Sequence, residues 1–242
     1  RRYEAAAEDG RTLTVSRPLD RLPVLARAGS IVVGAGDIGE AAGDNPRRLS
    51  VLVVPGADGG FVLEEDDGSP APGPDAVVRT RFSLVWDERS ATARLAIAQE
   101  GPDGVVPAER EVTVRLLSAG GEGLRARVSG AGRAGDVGGA PREPVVTRRE
   151  ADGFALGAGT DIALGAVHPA DGVELALTGV RTDPPSPADE IFSILEPVRI
   201  DYDAKDAAWR VVASGARGGE LLGGLRAAGL PDDVLAAVAE VA

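Results

Sequence analysis

The sequence predicts a mainly β fold, in which antiparallel β-sandwich domains are followed by a small C-terminal helical appendage. Three observations support this prediction. Short apolar runs recur along most of the chain, 33 Gly and 17 Pro supply turns between them, and the hydrophobic period becomes helical only after the Pro-rich residues 184–187. Many short strands with turn signals and no intervening helices are typical of antiparallel sandwiches.

Alternation is clearest in residues 79–86, where every second side chain is apolar. Phe82, Leu84 and Trp86 share one face of this predicted strand, and we expect that face to meet a core. The other short apolar runs, which we interpret as strands, are residues 12–16, 22–26, 30–33, 49–54, 61–65, 92–98, 111–117, 124–128, 145–149, 153–157, 160–167 and 173–178.

Turn residues predict how some of these strands connect. Residues 58–60, Asp-Gly-Gly, separate the runs at 49–54 and 61–65 and predict a β-hairpin. A second turn begins at 66–68 and continues into residues 69–74, whose alternating prolines are incompatible with helix or central strand. We therefore predict a domain boundary in this Pro-rich stretch.

Four helices are predicted after the last strand. The first has Ile191, Leu195 and Val198 on one stripe, and the second has Trp209, Val212 and Ala213 facing inward. The predicted helices are residues 188–196, 203–213, 219–228 and 232–241.

Composition excludes several classes of function. The formal net charge is −12 and Lys205 is the single lysine, so we expect no nucleic-acid partner, which would need a basic patch. The chain has no Cys, which excludes disulfides, thiolate zinc sites and a cysteine nucleophile but leaves the compartment open. No apolar run is long enough for a membrane helix, so no membrane partner is expected. Because the chain starts at Arg1 and contains no Met, we expect a piece of a longer protein.

Two segments with intact order and spacing resemble one enzyme family. Residues 18–31, PLDRLPVLARAGSI, are followed at the expected distance by the strand at 49–55 and by residues 58–68, DGGFVLEEDDG. Both resemble sequences that follow the catalytic barrel in glycoside hydrolase family 31, the α-glucosidases and α-xylosidases. Glu64 stands where the family commonly has an aromatic residue. The stretch at 202–209, YDAKDAAW, resembles the helical tail of some bacterial members.

The resemblance implies a domain organisation. Family members have an N-terminal β-domain, a (β/α)8 barrel, and then proximal and distal C-terminal β-sandwiches. Residues 1–70 are therefore expected to be a partial proximal β-sandwich, residues 76–183 a distal β-sandwich, and residues 187–242 a helical tail.

The resemblance also implies partners. The first is the catalytic barrel of the parent enzyme, which this chain does not contain. The opening strands of the proximal domain are expected to be missing, which would leave an open sheet edge that can pair with a second copy in a homo-oligomer. Leu22, Val24, Ile31 and Val33 are expected to pack within the sandwich or against the barrel.

Candidate catalytic groups are few. Glycoside cleavage needs two carboxyl groups about 5–10 Å apart, but neighbours in the acidic run 64–67 point to opposite faces of a strand and end in a turn. We interpret this run as a solvated turn, with a weak calcium site as an alternative. His168 is the one histidine, the sequence has no Gly-x-Ser-x-Gly nucleophile elbow that it could serve, and it is interpreted as a strand-end or loop residue. The family's catalytic aspartates lie in barrel motifs that have no counterpart here, so no catalytic, metal or cofactor-binding residue is assigned and no cofactor is expected.

The predicted function is that of a non-catalytic C-terminal β-sandwich region that supports the barrel of an α-glycoside hydrolase. One alternative is a carbohydrate-binding module that recruits α-glucan, and another is an unrelated structural β-sandwich scaffold. Sugar-binding modules expose aromatic rings, whereas Trp86 shares a face with Phe82 and Leu84 and is interpreted as a core residue. Trp209 is interpreted as an anchor between the tail and the sandwich.

Overall fold

The computed structural model describes residues 12, 14–16, 22–36, 45–130, 141–150 and 158–241. The chain divides into two compact units. One unit is Ala26–Asp183, and the other combines Arg1–Leu25 with Pro184–Ala242.

The larger unit contains short strands throughout its described residues. These are β1 (Ile31–Ala35), β2 (Arg48–Val53), β3 (Gly59–Asp66), β4 (Val77–Asp87), β5 (Thr92–Glu100), β6 (Arg110–Leu117), β7 (Ala119–Gly120), β8 (Arg125–Ser129), β9 (Val145–Arg149), β10 (Gly159–Val167), β11 (Val173–Thr178) and β12 (Arg181–Thr182).

The strands form two five-stranded sheets and one small pair. The first sheet has the order β1-β2-β6-β10-β9, the second has the order β3-β4-β5-β11-β8, and β7 pairs with β12. The β2–β6 pairing is parallel, and the other strand pairings within these sheets are antiparallel. The predicted mainly β, antiparallel sandwich is thus confirmed.

One hydrophobic core lies between the two sheets. Inward side chains of the first sheet, such as Val51 and Val114, pack with those of the second, such as Phe82 and Leu95. Strand β4 shows why the sequence pattern predicts this arrangement, because its burial alternates residue by residue along its whole length. Phe82, Leu84 and Trp86 are all buried, as predicted.

The predicted hairpin between residues 49–54 and 61–65 is wrong. Strand β2 pairs with β1 and β6 in the first sheet, whereas β3 pairs with β4 in the second. Gly59 and Gly60 already belong to β3, and residues 54–58 take the chain from the first sheet to the second. Local turn chemistry does not distinguish a hairpin from such a crossing, because both reverse the chain between two apolar runs.

The Pro-rich stretch at 69–74 connects paired strands of one sheet. Strands β3 and β4 on either side of it are in register over eight residue pairs, from Gly59↔Leu84 to Asp66↔Val77. The core also contains side chains from both sides of this stretch. The compact units therefore do not divide near residue 70, where the sequence predicted a boundary, and residues 26–183 belong together.

The first two predicted strands are absent from the structure. Residues 12, 14–16 and 22–26 have no strand assignment, and Pro23 removes a backbone donor from the second run. Leu22 and Val24 are 89% and 87% exposed, so they do not pack in the sandwich core as expected. Ile31 is buried and Val33 is half-buried against that core. The predicted strand at 153–157 lies outside the described residues.

The smaller unit contains the predicted helical appendage. Its helices are α1 (Pro187–Leu195), α2 (Tyr202–Ala213), α3 (Gly218–Ala227) and α4 (Asp232–Ala239). Ser186 caps α1 and Asp201 caps α2, each accepting a backbone N–H of the first turn. Ile191, Leu195 and Val212 lie in a core of their own with side chains of α3 and α4.

Within the described residues, no helix has the length and apolar character needed to cross a membrane. In the smaller unit, the segment 22–25 lines an open groove of about 1050 Å³ together with side chains of α4 and of the end of α1.

Candidate functional site

Residues 64–67 at the end of β3 are four consecutive acidic residues. Glu64 is exposed on β3 and its Oε1 accepts a hydrogen bond from Nε of Arg79 at 2.7 Å on the neighbouring strand β4. Glu65, the next residue, points to the opposite face and is buried. The two glutamates thus lie on opposite sides of one sheet, as the strand geometry predicted.

Glu65 forms a buried ion pair with Arg110, the first residue of β6 in the other sheet. The two Nη atoms of Arg110 donate to the two carboxylate oxygens of Glu65 at 2.7 and 2.9 Å. Arg110 is fully buried. This bidentate geometry compensates for part of the cost of removing both charges from water, and it leaves neither carboxylate oxygen free to act on a substrate.

Asp66 and Asp67 stabilise the turn that follows. Asp66 Oδ1 accepts the backbone N–H of Gly68 at 2.8 Å, and Asp67 Oδ1 accepts that of Ser69 at 3.0 Å. Hydrogen bonds from the side chain and the backbone of Ser69 hold the pKa of Asp67 below its ordinary value. Both carboxylates therefore stabilise the turn by accepting backbone N–H groups.

A side chain of the preceding loop holds this turn from its other side. The Nδ2 group of Asn45 donates to the backbone carbonyls of Asp66 and Val105, each at 2.8 Å.

No group of three His, Asp, Glu or Cys side chains that could hold a metal ion occurs among the described residues.

His168 lies at the end of β10, where the sequence predicted a strand-end residue. It precedes a short 3-10 turn at Pro169–Asp171. Its Nε2 atom lies 3.9 Å from Oε2 of Glu109. No serine hydroxyl is hydrogen-bonded to it among the described residues, so the structure gives it no nucleophile to activate.

A polar cleft of about 290 Å³ lies at the same end of the sandwich as Arg110. It is lined by Arg47, Arg48, Glu109 and Glu111. Arg48 Nε donates to Oε2 of Glu111 at 3.0 Å, and both side chains are exposed. The lining is charged of both signs, and its two carboxylates lie beside basic side chains, Glu111 beside Arg48 and Glu109 beside His168, which is the composition of a solvated ion-pair surface.

Trp86 is a core residue and does not present its ring to solvent. It is 7% exposed, its backbone N–H donates to Oδ1 of Asp58 at 2.7 Å, and its indole N–H donates to Oε2 of Glu88 at 2.8 Å. A sugar ring needs an open aromatic face to stack on. Trp86 therefore offers no support for the alternative of a sugar-binding module.

Trp209 is less buried than the sequence predicted. It is 39% exposed on α2, and its ring packs edge-on against Phe192 of α1 with centroids 5.3 Å apart. Ala208, the preceding residue, and Val212, about one turn further along, fill the inward face of the helix instead. The predicted inward positions of Trp209 and Ala213 are wrong, since Ala213 is exposed as well. The observed aromatic contact of Trp209 lies within the helical unit.

The two sequence motifs meet at a contact between glycine backbones. A Cβ atom on Gly59 would lie 1.8 Å from the carbonyl oxygen of Gly29, and one on Gly29 would lie 2.3 Å from that of Asp58. Gly29 also has φ of +83°, which favours glycine. Its N–H donates to the carbonyl of Val54 at 2.8 Å. The glycines of both motifs are thus required by close backbone packing.

Sequence reasoning missed Arg110 and Glu88. Arg110 has the same period-2 phase as the buried Val112 and Val114 of β6, so a charged residue in that phase was the available signal. Glu88 follows β4 and its Oε1 accepts hydrogen bonds from the N and Oγ1 of Thr182, each at 3.1 Å. Nothing in its local sequence indicates this long-range contact.

The hydrogen bonds of Glu88 predict a pH dependence of stability. Burial disfavours its ionised form, but the hydrogen bonds from Trp86 and Thr182 outweigh that effect and hold the pKa of Glu88 below its ordinary value of 4.5. The unfolded chain therefore binds this proton more tightly than the folded chain does. The contribution of Glu88 to stability is present above pH 4.5 and is lost as the pH falls through the folded-state pKa.

We expect Glu88→Gln to lower the free energy of unfolding near neutral pH and to have a smaller effect in acid, where Glu88 itself is protonated. Urea unfolding at a series of pH values, followed by tryptophan fluorescence, measures this difference. Glu122→Gln, which changes an exposed carboxylate, is the matched control. An effect of Glu88→Gln that did not change with pH would contradict the assignment.

Comparisons with known proteins identify similar solved structures. No protein-family model matches the chain, and no curated protein matches it. A glycoside hydrolase family 31 α-xylosidase from Xanthomonas citri is 31% identical over 44% of this chain and 11% of its own, with a TM-score of 0.34. A chain of the ER glucosidase II heterodimeric complex, which consists of the catalytic subunit and the binding domain of the regulatory subunit, is 19% identical over 70% of this chain and 18% of its own, with a TM-score of 0.43.

A glucosidase II α subunit is also similar, with 17% identity over 67% of this chain and 18% of its own and a TM-score of 0.39. The chain therefore spans less than a fifth of each of these proteins. It is similar, over part of its length, to solved glycosidases, one of which is in the family that its two sequence motifs resemble.

Proposed function

We propose that this chain is the non-catalytic C-terminal β-sandwich region of an α-glycoside hydrolase, and that it supports a catalytic (β/α)8 barrel located elsewhere in the same protein. The observation that supports the proposal most is the contact between Gly29 and Gly59. These glycines belong to the two separate segments that resemble family 31 sequences. Their contact gives both segments one structural role, which is to fix the positions at which β1 and β3 begin.

The positions of the carboxylates agree with a supporting role. Each acid of the run 64–67 is already engaged, Glu64 by Arg79, Glu65 by Arg110, and the two aspartates by the turn. A glycosidase needs one carboxyl group that can give up its proton and a second that can attack or activate water. Side chains held in structural hydrogen bonds are poor candidates for either task.

The partners in this proposal are the barrel and a second copy of the chain. Strands β1 and β3 are edge strands of the two sheets in the described part of the chain. Unpaired N–H and C=O groups along such edges can receive a strand from a neighbouring domain or molecule. We propose that the sandwich unit supports the barrel, because Gly29 and Gly59 of the two family-like segments both lie in that unit.

Activity assays on two forms of the protein test the proposal. We expect the purified chain to release no nitrophenol from 4-nitrophenyl α-glucoside or α-xyloside, whereas the chain joined to the barrel of its parent protein should hydrolyse one of them. In that longer protein, Glu64→Gln and Asp67→Asn should leave kcat close to the wild-type value, because these carboxylates stabilise a surface pair and a turn. Turnover by the purified chain that Glu64→Gln abolishes would sink the proposal.

Calorimetry separates the proposal from recruitment of α-glucan. Titration of the purified chain with maltooligosaccharides should give no heat of binding. Trp209→Ala removes the half-exposed tryptophan and Trp86→Phe alters the buried one. Millimolar or tighter binding that Trp209→Ala removes and Trp86→Phe keeps would replace the proposed function with a sugar-binding one.

A further inference from the structure

Four polar side chains face the interior near one end of the sandwich, and we call them the polar cluster: Glu65, Thr80, Gln99 and Arg110. Thr80 lies opposite Gln99 on β5 and two residues along β4 from Val78, which lies opposite Glu65. Arg110 reaches the same layer from the other sheet, because its guanidinium binds Glu65. The cluster therefore includes groups from both sheets.

Half of the polar atoms in this cluster are paired with each other. Both Nη atoms of Arg110 and both oxygens of Glu65 are used by their ion pair. Three further atoms are inaccessible to solvent and make no hydrogen bond with any described residue: Nε of Arg110, Oγ1 of Thr80 and Oε1 of Gln99. Thr80 and Arg110 are each 0% exposed. Buried polar groups of native proteins are nearly always satisfied, by ordered water where no protein atom is in reach.

The donor and acceptor types of these three atoms define what can bind between them. Nε–H of Arg110 can only donate, Oε1 of Gln99 can only accept, and the hydroxyl of Thr80 can do either. A molecule that bridges them must accept from the guanidinium and donate to the amide oxygen. The positive guanidinium disfavours a cation, and the amide oxygen together with the Glu65 carboxylate disfavours an anion.

We propose that the polar cluster is the binding site of an internal water molecule, which accepts from Nε–H of Arg110, donates to Oε1 of Gln99 and hydrogen-bonds to Oγ1 of Thr80. Buried waters make about three hydrogen bonds, the number that these atoms offer. The water connects the two central strands β4 and β5 to the guanidinium that already joins the sheets. It therefore extends a two-residue ion pair into a polar layer across the sandwich.

Removal of the Thr80 hydroxyl tests the proposal, because a bound water and an unsatisfied hydroxyl predict different changes in melting temperature. Thr80→Val replaces the hydroxyl with a methyl group of similar volume. If the water is bound, this change removes one of its partners and weakens the hydration of Arg110 and Gln99, so the melting temperature of the sandwich should fall by about 2–4 °C. If the hydroxyl is simply unsatisfied, removing it should leave the melting temperature unchanged or raise it.

A crystal structure of the wild-type chain supplies an independent measurement. We expect density for one ordered water within hydrogen-bond distance of all three atoms, and we expect it to be lost in Thr80→Val and kept in Thr80→Ser. A direct hydrogen bond between Thr80 and Gln99 with no water beside Arg110 Nε would overturn the proposal. So would a Thr80→Val variant that melts at or above the wild-type temperature. The wild-type crystal structure tests for the water by itself, so the proposal can be refuted even if the Thr80 variants do not fold.

Discussion

Replacing Arg110 with Met should destabilise the sandwich by about 3–5 kcal/mol, because it leaves the carboxylate of Glu65 buried without its partner. Both oxygens of Glu65 are bound by the guanidinium, and both side chains are buried. An isolated buried carboxylate must either ionise in a medium of low dielectric constant or take up a proton, and both cost free energy. Urea unfolding of the wild type and the variant at neutral pH measures the loss.

Two further variants separate the buried charge from other effects of the substitution. The double variant Glu65→Leu with Arg110→Met removes both charges and should recover most of the lost stability, since apolar residues of similar volume commonly replace buried ion pairs without loss. Arg79→Met removes the exposed pair with Glu64 and should cost about 1 kcal/mol or less. An Arg110→Met variant that is no less stable than Arg79→Met would refute this account of the pair.

The contrast between β4 and the turn at 58–60 shows what the sequence can predict of this fold. Strand β4 alternates so regularly that its buried face, including Phe82 and Trp86, follows from the pattern alone. The turn is ambiguous, because Asp-Gly-Gly suits a hairpin and also a crossing between sheets. The deciding interactions are the pairings of β2 with β6 and of β3 with β4, which join residues distant in sequence. Strand identity was therefore predictable where strand partners were not.

The candidate site shows the same division between local and distant interactions. The turn roles of Asp66 and Asp67 follow from their position before Gly68, and the structure places them in such a turn. The buried state of Glu65 depends on Arg110, which lies 45 residues away in sequence. Arg110 is in the phase of buried neighbours in β6, which signals its burial but does not say which partner neutralises it. Glu65 is the one buried residue of β3, so the pattern of its own strand gives no such signal.

The Pro-rich stretch at 69–74 has a composition that suits two different kinds of connection. Prolines exclude helix and central strand. That inference is correct for these residues, which lie between β3 and β4 and form no regular structure except a single 3-10 turn at Pro74–Ala76. The domain boundary was a further step, and composition does not support it. A long connection between paired strands and a linker between domains have the same residue types, and the core packing across the connection distinguishes them.

Replacing Gly59 with Ala should be as damaging as the loss of Arg110, for a reason of space. The added Cβ would lie 1.8 Å from the carbonyl oxygen of Gly29, a distance at which one of the two backbones must move. Gly29 cannot yield easily, because its N–H is bonded to Val54 and the N–H of Val54 is bonded to Ser30. We expect a loss of about 3 kcal/mol or more, at the upper end of overpacking effects.

Hydrogen exchange makes this prediction specific to the contact between the motifs. The N–H of Gly29 and that of Val54, which join the turn before β1 to the end of β2, should lose protection in Gly59→Ala more than the N–H groups of β10 and β11 do. Gly34→Ala is the matched control, because a Cβ there meets no atom within 4 Å, and it should leave both groups protected. Equal protection in Gly59→Ala and Gly34→Ala would mean that the two backbones can separate at little cost. In that case the glycines of the two motifs would need an explanation other than close packing, and the strongest structural support for the proposed function would be lost with it.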